Sequence, residues 1–450
     1  MRWLPTLLGS LGLALLLSAP VSAAETVPDD RAAAYARFRA AFDAGDFTAA
    51  LPIAARVVEL TRSQYGAEAP EMANPLSNLA TTYLRMHEYG TALDTYRQAL
   101  TLLDLLGDAA DPKLVRPLHG MGVALRGLKR DDEAIAPLKR AVDITRNRDG
   151  LHAVSQLPIL DDLIQCYIAA SRLEDAGREQ QYAYSVAETA YGKDDLRLLG
   201  PLDSYARWNE AIGRYTAARI LHGRAVQIAD AAQKGSVKAV PALQGIARTF
   251  RLAFVNGESE QSAVAPELPS AFSNDALAQM KNAPSTEGER ALRGALLRLD
   301  NAGAPQPALR GNVLVDLGDW YMTAGVAVRA MAAYREAWKD LAKAGDTSLL
   351  QAPVAVAYRA PAMAVSHHGE SGDEFVEQDV ELRISVAADG EIRGVSVANP
   401  APERESAERA VVSAIKRAVW RPGFSNGEPV AVTDLLYRER VYVRRPKPKD

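Results

Sequence analysis

Ala50, Ala92, Ala134, Ala176 and Ala218 follow one another at steps of 42 residues. Val57, Ala99, Ala141, Ala183 and Ala225 keep the same register. Five residues ahead of each alanine in the first series come Gly45, His87, Lys129, Ser171 and Gly213, each in a short polar break between two helical patterns. Two series of small residues held in step over five units mark an internal repeat, and a period of this size is one supersecondary unit. Such a unit cannot bury its apolar face alone, so neighbouring units must stack.

The clearest unit reads LSNLATTYLRMHEYGTALDTYRQAL. Leu76, Leu79, Ala80 and Tyr83 fall on one face of a first helix. Ala92, Leu93, Tyr96, Ala99 and Leu100 fall on one face of a second, across a turn at His87-Glu88. Ala80 and Ala92 are small where the helices must cross, which lets Tyr83 and Tyr96 interlock. This pattern resembles the tetratricopeptide repeat, and it returns with Leu317, Gly318, Tyr321, Ala330, Tyr334 and Ala337. It weakens over residues 31 to 62, where Ala54 replaces the aromatic, and again around Gln180 and His222. A period of 42 against the common ~34 implies longer helices or connections, and long-period members of the kinesin light chain type look similar.

A right-handed array would present its first helices along a concave groove. By register the groove residues are Ser77, Thr81, Arg85, His119, Arg126, Asp161, Gln165, Asp203 and Arg207. The alternative is that they are ordinary solvated positions. Residues 256 to 287 break the period with Gly, Ser, Pro and Asn, and read as a loop or insertion between an array over 25–255 and further hairpins over 288–345.

The first 24 residues read as a signal peptide. Arg2 supplies the positive start, the apolar run Leu7 to Ala19 would make only ~20 Å of helix against ~30 Å of hydrocarbon, and Ser22-Ala23-Ala24 is a small-residue cleavage site. A periplasmic protein is expected, with an uncleaved inner-membrane anchor as the alternative and membrane contact otherwise at most peripheral. Cys166 is the only cysteine, so no internal disulfide forms, and its apolar surroundings suggest a small buried hydrophobe. A net charge of −4 gives no basic face for nucleic acid.

From about Gln351 the period changes to two. Val376, Val380, Leu382, Ile384 and Val386 alternate with Glu377, Asp379, Glu381, Arg383 and Ser385, a strand with one wet face. Asp389-Gly390 signals a hairpin, and the returning strand slips register at Gly394, which suggests a bulge. Ala407, Ala410, Val411, Ala414, Ile415, Ala418 and Val419 then follow helical spacing, and PVAVTDLLYRERVYV supplies a long third strand. In AVWRPGFSNGEPV, Trp420 is expected to end the helix and Phe424 to fold back beside it over the end of the sheet. Asn426-Gly427 should reverse the chain into the last strand. The expected fold is therefore an α solenoid of helical hairpins followed by a small α+β domain, a three-stranded sheet with one helix, over 351–443. The basic tail 444–450 is expected to be disordered.

Asp389, Gly390, Val395, Val397, Trp420, Pro422, Asn426, Gly427, Pro429 and Val430, in this order, resemble the C-terminal domain of TonB. The resemblance implies that a short extended segment of a partner, such as an outer-membrane receptor, pairs with the open edge of the last strand. Matching puts that edge at Val432 to Tyr442, with Val432, Asp434, Leu436, Tyr437, Arg438, Arg440 and Tyr442 as contact residues. The alternative is an edge covered from within, by residues 352 to 358. The chain departs from the transducer's pattern: its N-terminal apolar segment holds no histidine, and no proline-rich spacer precedes the domain.

No catalytic constellation stands out. His367-His368 sit in a polar loop that reads as a solvated linker rather than a metal site, and no HExxH, G-x-S-x-G or phosphate-binding loop is present. The sequence thus predicts an adaptor for protein or peptide partners, without enzyme activity, cofactor or metal. The alternative function is an energy-transducer component of TonB-dependent transport.

Overall fold

The computed structural model describes residues 30–257, 286–361 and 375–444. The N-terminal apolar segment, most of the 256–287 insertion, the His367-His368 loop and the tail beyond Arg444 lie outside the described residues. The chain divides into two units, Met1–Gly107 and Asp108–Asp450. The first holds two hairpins, α1 (Arg31–Asp43) with α2 (Phe47–Tyr65), and α3 (Ala73–Arg85) with α4 (Tyr89–Asp104). The second opens with α5 (Val115–Gly127), α6 (Asp131–Asp149), α7 (Leu157–Ala169), α8 (Leu173–Tyr191), α9 (Leu199–Ala211), α10 (Tyr215–Ala232) and α11 (Val240–Asn256). It resumes with α12 (Thr286–Asp300), α13 (Pro307–Thr323) and α14 (Ala327–Ala344). Among the described residues no helix is long and apolar enough to cross a membrane.

The polar breaks of the repeat are left-handed corners. Gly45, His87, Lys129, Ser171 and Gly213 have φ of 77°, 62°, 62°, 57° and 77°. At each corner the next N–H reaches back to a carbonyl in the first helix: Asp46 to Ala41, Glu88 to Tyr83, Arg130 to Leu125, Arg172 to Tyr167 and Arg214 to Asn209. That six-to-one bond ends the helix and fixes the direction of the second. The long period has two sources. The first helices α3, α5, α7 and α9 are all 13 residues long, whereas α6 and α8 run to 19. A 3-10 turn, at 112–114, 154–156 and 196–198, then precedes the next first helix.

All five alanines of the first series are fully buried, as crossing points require. Ala54 is buried too, and the missing aromatic is supplied from its partner helix by Phe38 and Phe42, whose rings meet at 5.5 Å, with Phe47 at the start of α2 edge-on to Phe42 at 5.3 Å. Cys166 is fully buried, and burial pushes its thiol up to about 12.

After a four-residue α15 (Ser348–Gln351) comes the small α+β domain: β1 (Val354–Ala357), β2 (Phe375–Val386), β3 (Ile392–Val397), α16 (Glu405–Arg417), β4 (Val419–Arg421), β5 (Gly423–Ser425), β6 (Glu428–Val430) and β7 (Val432–Arg444). The three-stranded sheet is antiparallel in the order β3-β2-β7, and α16 buries Ala407, Val411 and Ile415 against Val380, Leu382, Ile384 and Val441. Gly390 turns the β2–β3 hairpin with φ 88°, and the register shifts beside Gly394 as the sequence implied.

Four expectations are corrected. Trp420 does not end the helix: α16 stops at Arg417, and Trp420 lies in β4, antiparallel to β1. Residues 352 to 358 accordingly cover β4 and not the last strand. Phe424 does not join Trp420. Trp420 packs in the sheet's core, while Phe424 packs in the core of the last helices. Asn426 and Gly427, both left-handed, close a two-residue β5–β6 hairpin, so Val430 ends a short strand of its own before β7 begins.

Candidate functional site

β7 pairs along one side with β2, from Val432 opposite Val386 and Leu435 opposite Ile384 to Tyr442 opposite Glu377. Among the described residues no strand pairs with its other side. The edge is not continuous. Asp434 is left-handed at φ 57°, and the ladder shifts register between Ile384 and Val386, so Thr433 and Asp434 form a bulge, Val432 pairs beyond it, and the regular edge starts at Leu435. Leu436, 58% exposed, stands out on the wet face. Arg438 bonds Glu381 at 2.7 Å and Arg440 bonds Glu377 at 2.9 Å, cross-strand pairs that tie β7 to β2. Tyr437 points the other way: its ring lies edge-on to Trp420 and Tyr358, each at 6.1 Å, and burial pushes its phenol up. It is half-buried against the sheet's core, and its hydroxyl donates to Glu439 at 2.8 Å, so its ring is already committed within the domain. Tyr442 is half-buried.

The small domain is seated on α13 and α14. Arg421 Nη1 donates to both oxygens of Asp319 at 3.0 and 3.2 Å, and Nη2 donates to the Leu349 carbonyl at 3.1 Å. The two side chains are 4% and 9% exposed. Tyr334 donates to the same carboxylate at 2.8 Å, and Phe424 lies edge-on to the Tyr334 ring at 5.7 Å. Burial first, and the Asp319 carboxylate second, push the Tyr334 phenol up. Arg251 of α11 adds a bond to the Val356 carbonyl at 2.7 Å. Neither Asp319 nor Arg421 stood out in the sequence; the one usable signal was a charged residue beside the repeat's glycine, Gly318.

The helix-face residues fall into three groups. In the first unit Ser77 is buried and donates to the Ala73 carbonyl, Thr81 shares a hydrogen bond with Tyr96 at 2.9 Å, and Arg85 is exposed. In the second unit His119 and Arg126 converge on Asp162, the neighbour of the residue that the register named. Asp161 and Gln165 are exposed, and Asp203 pairs with Arg207 one helical turn on, at 2.7 Å. A deeper cluster went unread: Glu210 accepts from His222 at 3.0 Å and from Arg248 at 2.8 and 3.0 Å. Burial would raise the Glu210 carboxyl, but these bonds hold it below the ordinary range. Gly245 leaves room for the His222 ring, which a Cβ would strike. Glu210 stands two 42-residue steps beyond Arg126, a signal the periodicity did contain. Among the described residues no group of side chains is arranged to hold a metal ion.

Residues 30–105 match the tetratricopeptide repeat family model. The signal transduction ATPase with a tetratricopeptide repeat sensor from Pyrococcus horikoshii is similar in fold, with a TM-score of 0.50 at 12% identity over 71% of this chain and 43% of that one. Kinesin light chain TPR-like repeats from Podosopora anserina give 0.42 at 17% identity, covering 45% of this chain and 96% of theirs. A tetratricopeptide repeat protein from Parabacteroides merdae gives 0.42 at 13%, covering 69% and 92%. No curated protein matches the sequence.

Proposed function

We propose that the chain is an exported, periplasmic adaptor without catalytic activity, in which helical hairpins hold a TonB-like module that binds a partner segment by strand addition. One observation carries the reading: β7 has a ladder partner on one side only among the described residues, and the domain that bears it is fixed to α13 by the buried Arg421–Asp319 pair. An edge of unpaired N–H and C=O groups is a template for another chain. The Arg438–Glu381 and Arg440–Glu377 pairs keep β7 in register with β2, so the edge is offered preformed. The helical array supplies further surface for protein or peptide partners.

A photo-crosslinking residue at Leu436 tests this in periplasmic and outer-membrane extract. The expected result is one captured partner whose linked peptide, once synthesised, protects alternate β7 amides from hydrogen exchange. Capture with no amide protection would sink strand addition. N-terminal sequencing of the mature protein tests export: a start at Ala24 or Glu25 is expected, and an intact start at Met1 favours an anchored transducer.

A further inference from the structure

The position that carries the repeat's aromatic is Tyr96 in α4, Leu138 in α6, Gln180 in α8 and Tyr334 in α14. Tyr96, Leu138 and Tyr334 fill the interior beside them, each at 1% exposure or less. Gln180 is nearly as deep, 3% exposed, and its carboxamide makes no side-chain hydrogen bond among the described residues. Buried donors and acceptors are almost always paired, so an unpaired amide here marks polar atoms that face open space. It lines a cleft of about 500 Å³ between the α7–α8 hairpin and α9, within the range of ligand-holding pockets.

The cleft has a structural cause. Cys166, Ala124 and Thr82 are small at the register where α9 carries Trp208. That indole packs on Gly177, where a Cβ would collide with it. The bulk braces α9 near the start of α8, and the cleft opens toward the far end of α8, at Tyr191 and Arg197.

Two more lining groups are uncommitted: the Asp161 carboxylate and the Ser204 hydroxyl have no hydrogen-bond partner among the described residues. The cation in the wall is already engaged. Arg197 gives two bonds to Asp195, at 3.0 and 2.8 Å, and lies over the Tyr191 ring at 4.2 Å. Arg126 and His119, near Asp161, are held by Asp162. The cleft therefore offers a carboxylate that no side chain hydrogen-bonds among the described residues and that Arg126 compensates only in part, with a neutral amide and a hydroxyl beside it. Desolvation, then the Asp162 carboxylate, hold the Asp161 carboxyl above its ordinary range, so a cation arriving there would relieve an unfavourable charge.

We propose that this cleft is a subsite for a lysine or arginine side chain of a partner peptide, with Asp161 meeting the charge and Gln180 and Ser204 accepting its remaining donors. It rests on the reading of the array as a peptide-binding surface, and it is independent of strand pairing at β7.

The test uses single-residue probes on the full chain, with glutamine side-chain amides labelled for NMR. N-acetyl-lysine methylamide and its arginine counterpart should shift the Gln180 signals saturably in the millimolar range. The neutral norleucine probe and the acidic glutamate probe should not. Asp161→Asn should weaken the cationic probes about tenfold, the scale of one lost charge-assisted hydrogen bond. Gln180→Leu, which installs the residue found at Leu138, should abolish the shift of the remaining cleft signals with the hairpins still folded. Equal shifts from norleucine, preference for glutamate, or no saturable shift would each overturn the proposal. Any of those outcomes leaves amide protection at β7 to be decided by its own experiment.

Discussion

The α7–α8 hairpin and the α13–α14 hairpin are built on one pattern and finished differently. In α13–α14 the interior is completed by Tyr334, and Gly318 yields the space that its ring occupies. Phe424 and Arg421 from the small domain then close over that tyrosine. In α7–α8 the corresponding side chain is Gln180 and the glycine's place is taken by Ile164, so the space is divided otherwise and a cleft remains. The contrast teaches that this one repeat position decides whether a hairpin is sealed, docked upon or left open.

The largest effects should come from the sealed end. Trp420→Ala and Phe424→Ala each remove a fully buried aromatic and should cost about 3–5 kcal/mol. Their locations should differ. Hydrogen exchange should rise in β2, β3 and β7 for Trp420→Ala, and in α13 and α14 for Phe424→Ala. If both variants loosen the same amides, the assignment of the two rings to separate cores is wrong.

Arg421→Ala comes next, toward the lower end of about 3–5 kcal/mol, because Asp319 keeps its bond from Tyr334 when the guanidinium is lost. Denaturant titration should show it, and the Asp319→Leu/Arg421→Met double variant should recover most of the loss. No recovery would mean that the pair does more than neutralise itself.

Two carboxylates on helices that both pack against α11 give opposite pH signatures. Glu210 is depressed in the folded chain, so its stabilisation is full above the ordinary carboxylate pKa, about 4, and is lost as pH falls through the lower folded value. Asp316, which accepts from Gln244 at 2.7 Å, is raised by desolvation, so its contribution is favourable below the ordinary value and lost as pH rises through the folded one. Glu210→Gln should therefore flatten the acid limb of the stability curve, and Asp316→Asn should lift the neutral plateau. The same sign for both variants would refute the contrast.

These contrasts also mark how much the sequence reveals. The hairpins, the Asp389-Gly390 turn and the Gly394 bulge were legible because each depends on neighbours within a few residues or on a strict period. The fate of Phe424 was not, since Tyr334 lies far back in the chain and only tertiary packing joins them. Asp162 was missed for Asp161 because one residue on a helix turns the side chain by about 100°. Nothing in VTDLL announces that Asp434 will be left-handed, so the break in the edge stayed hidden. The array's weak repeats were visible as departures, but a departure at Gln180 does not say whether the gap is refilled, as Phe38 and Phe42 do for Ala54, or kept open.

A gentler comparison concerns that cleft's cost. The Gln180 amide opens onto the cleft, so Gln180→Leu should change stability by no more than about 1 kcal/mol even as it removes the subsite. A loss well beyond that would show that the amide has a partner after all.

The smallest effect separates the corners of the repeat. Gly45 and Gly213 adopt the left-handed conformation without a Cβ, whereas His87, Lys129 and Ser171 adopt the same conformation with one. An L-residue there is disfavoured by roughly 1–2 kcal/mol, partly offset because glycine has more freedom to lose on folding. Lys129→Gly should thus stabilise the second unit by roughly 0.5–1 kcal/mol in denaturant titration, and Gly213→Lys should lose about as much. His87 is a different case, because its imidazole bonds the Tyr89 hydroxyl at 2.7 Å and is ring-to-edge with it at 5.7 Å. That contact should cancel much of the gain from His87→Gly, so the two substitutions, identical in backbone terms, should differ in stability by the worth of one side-chain pair.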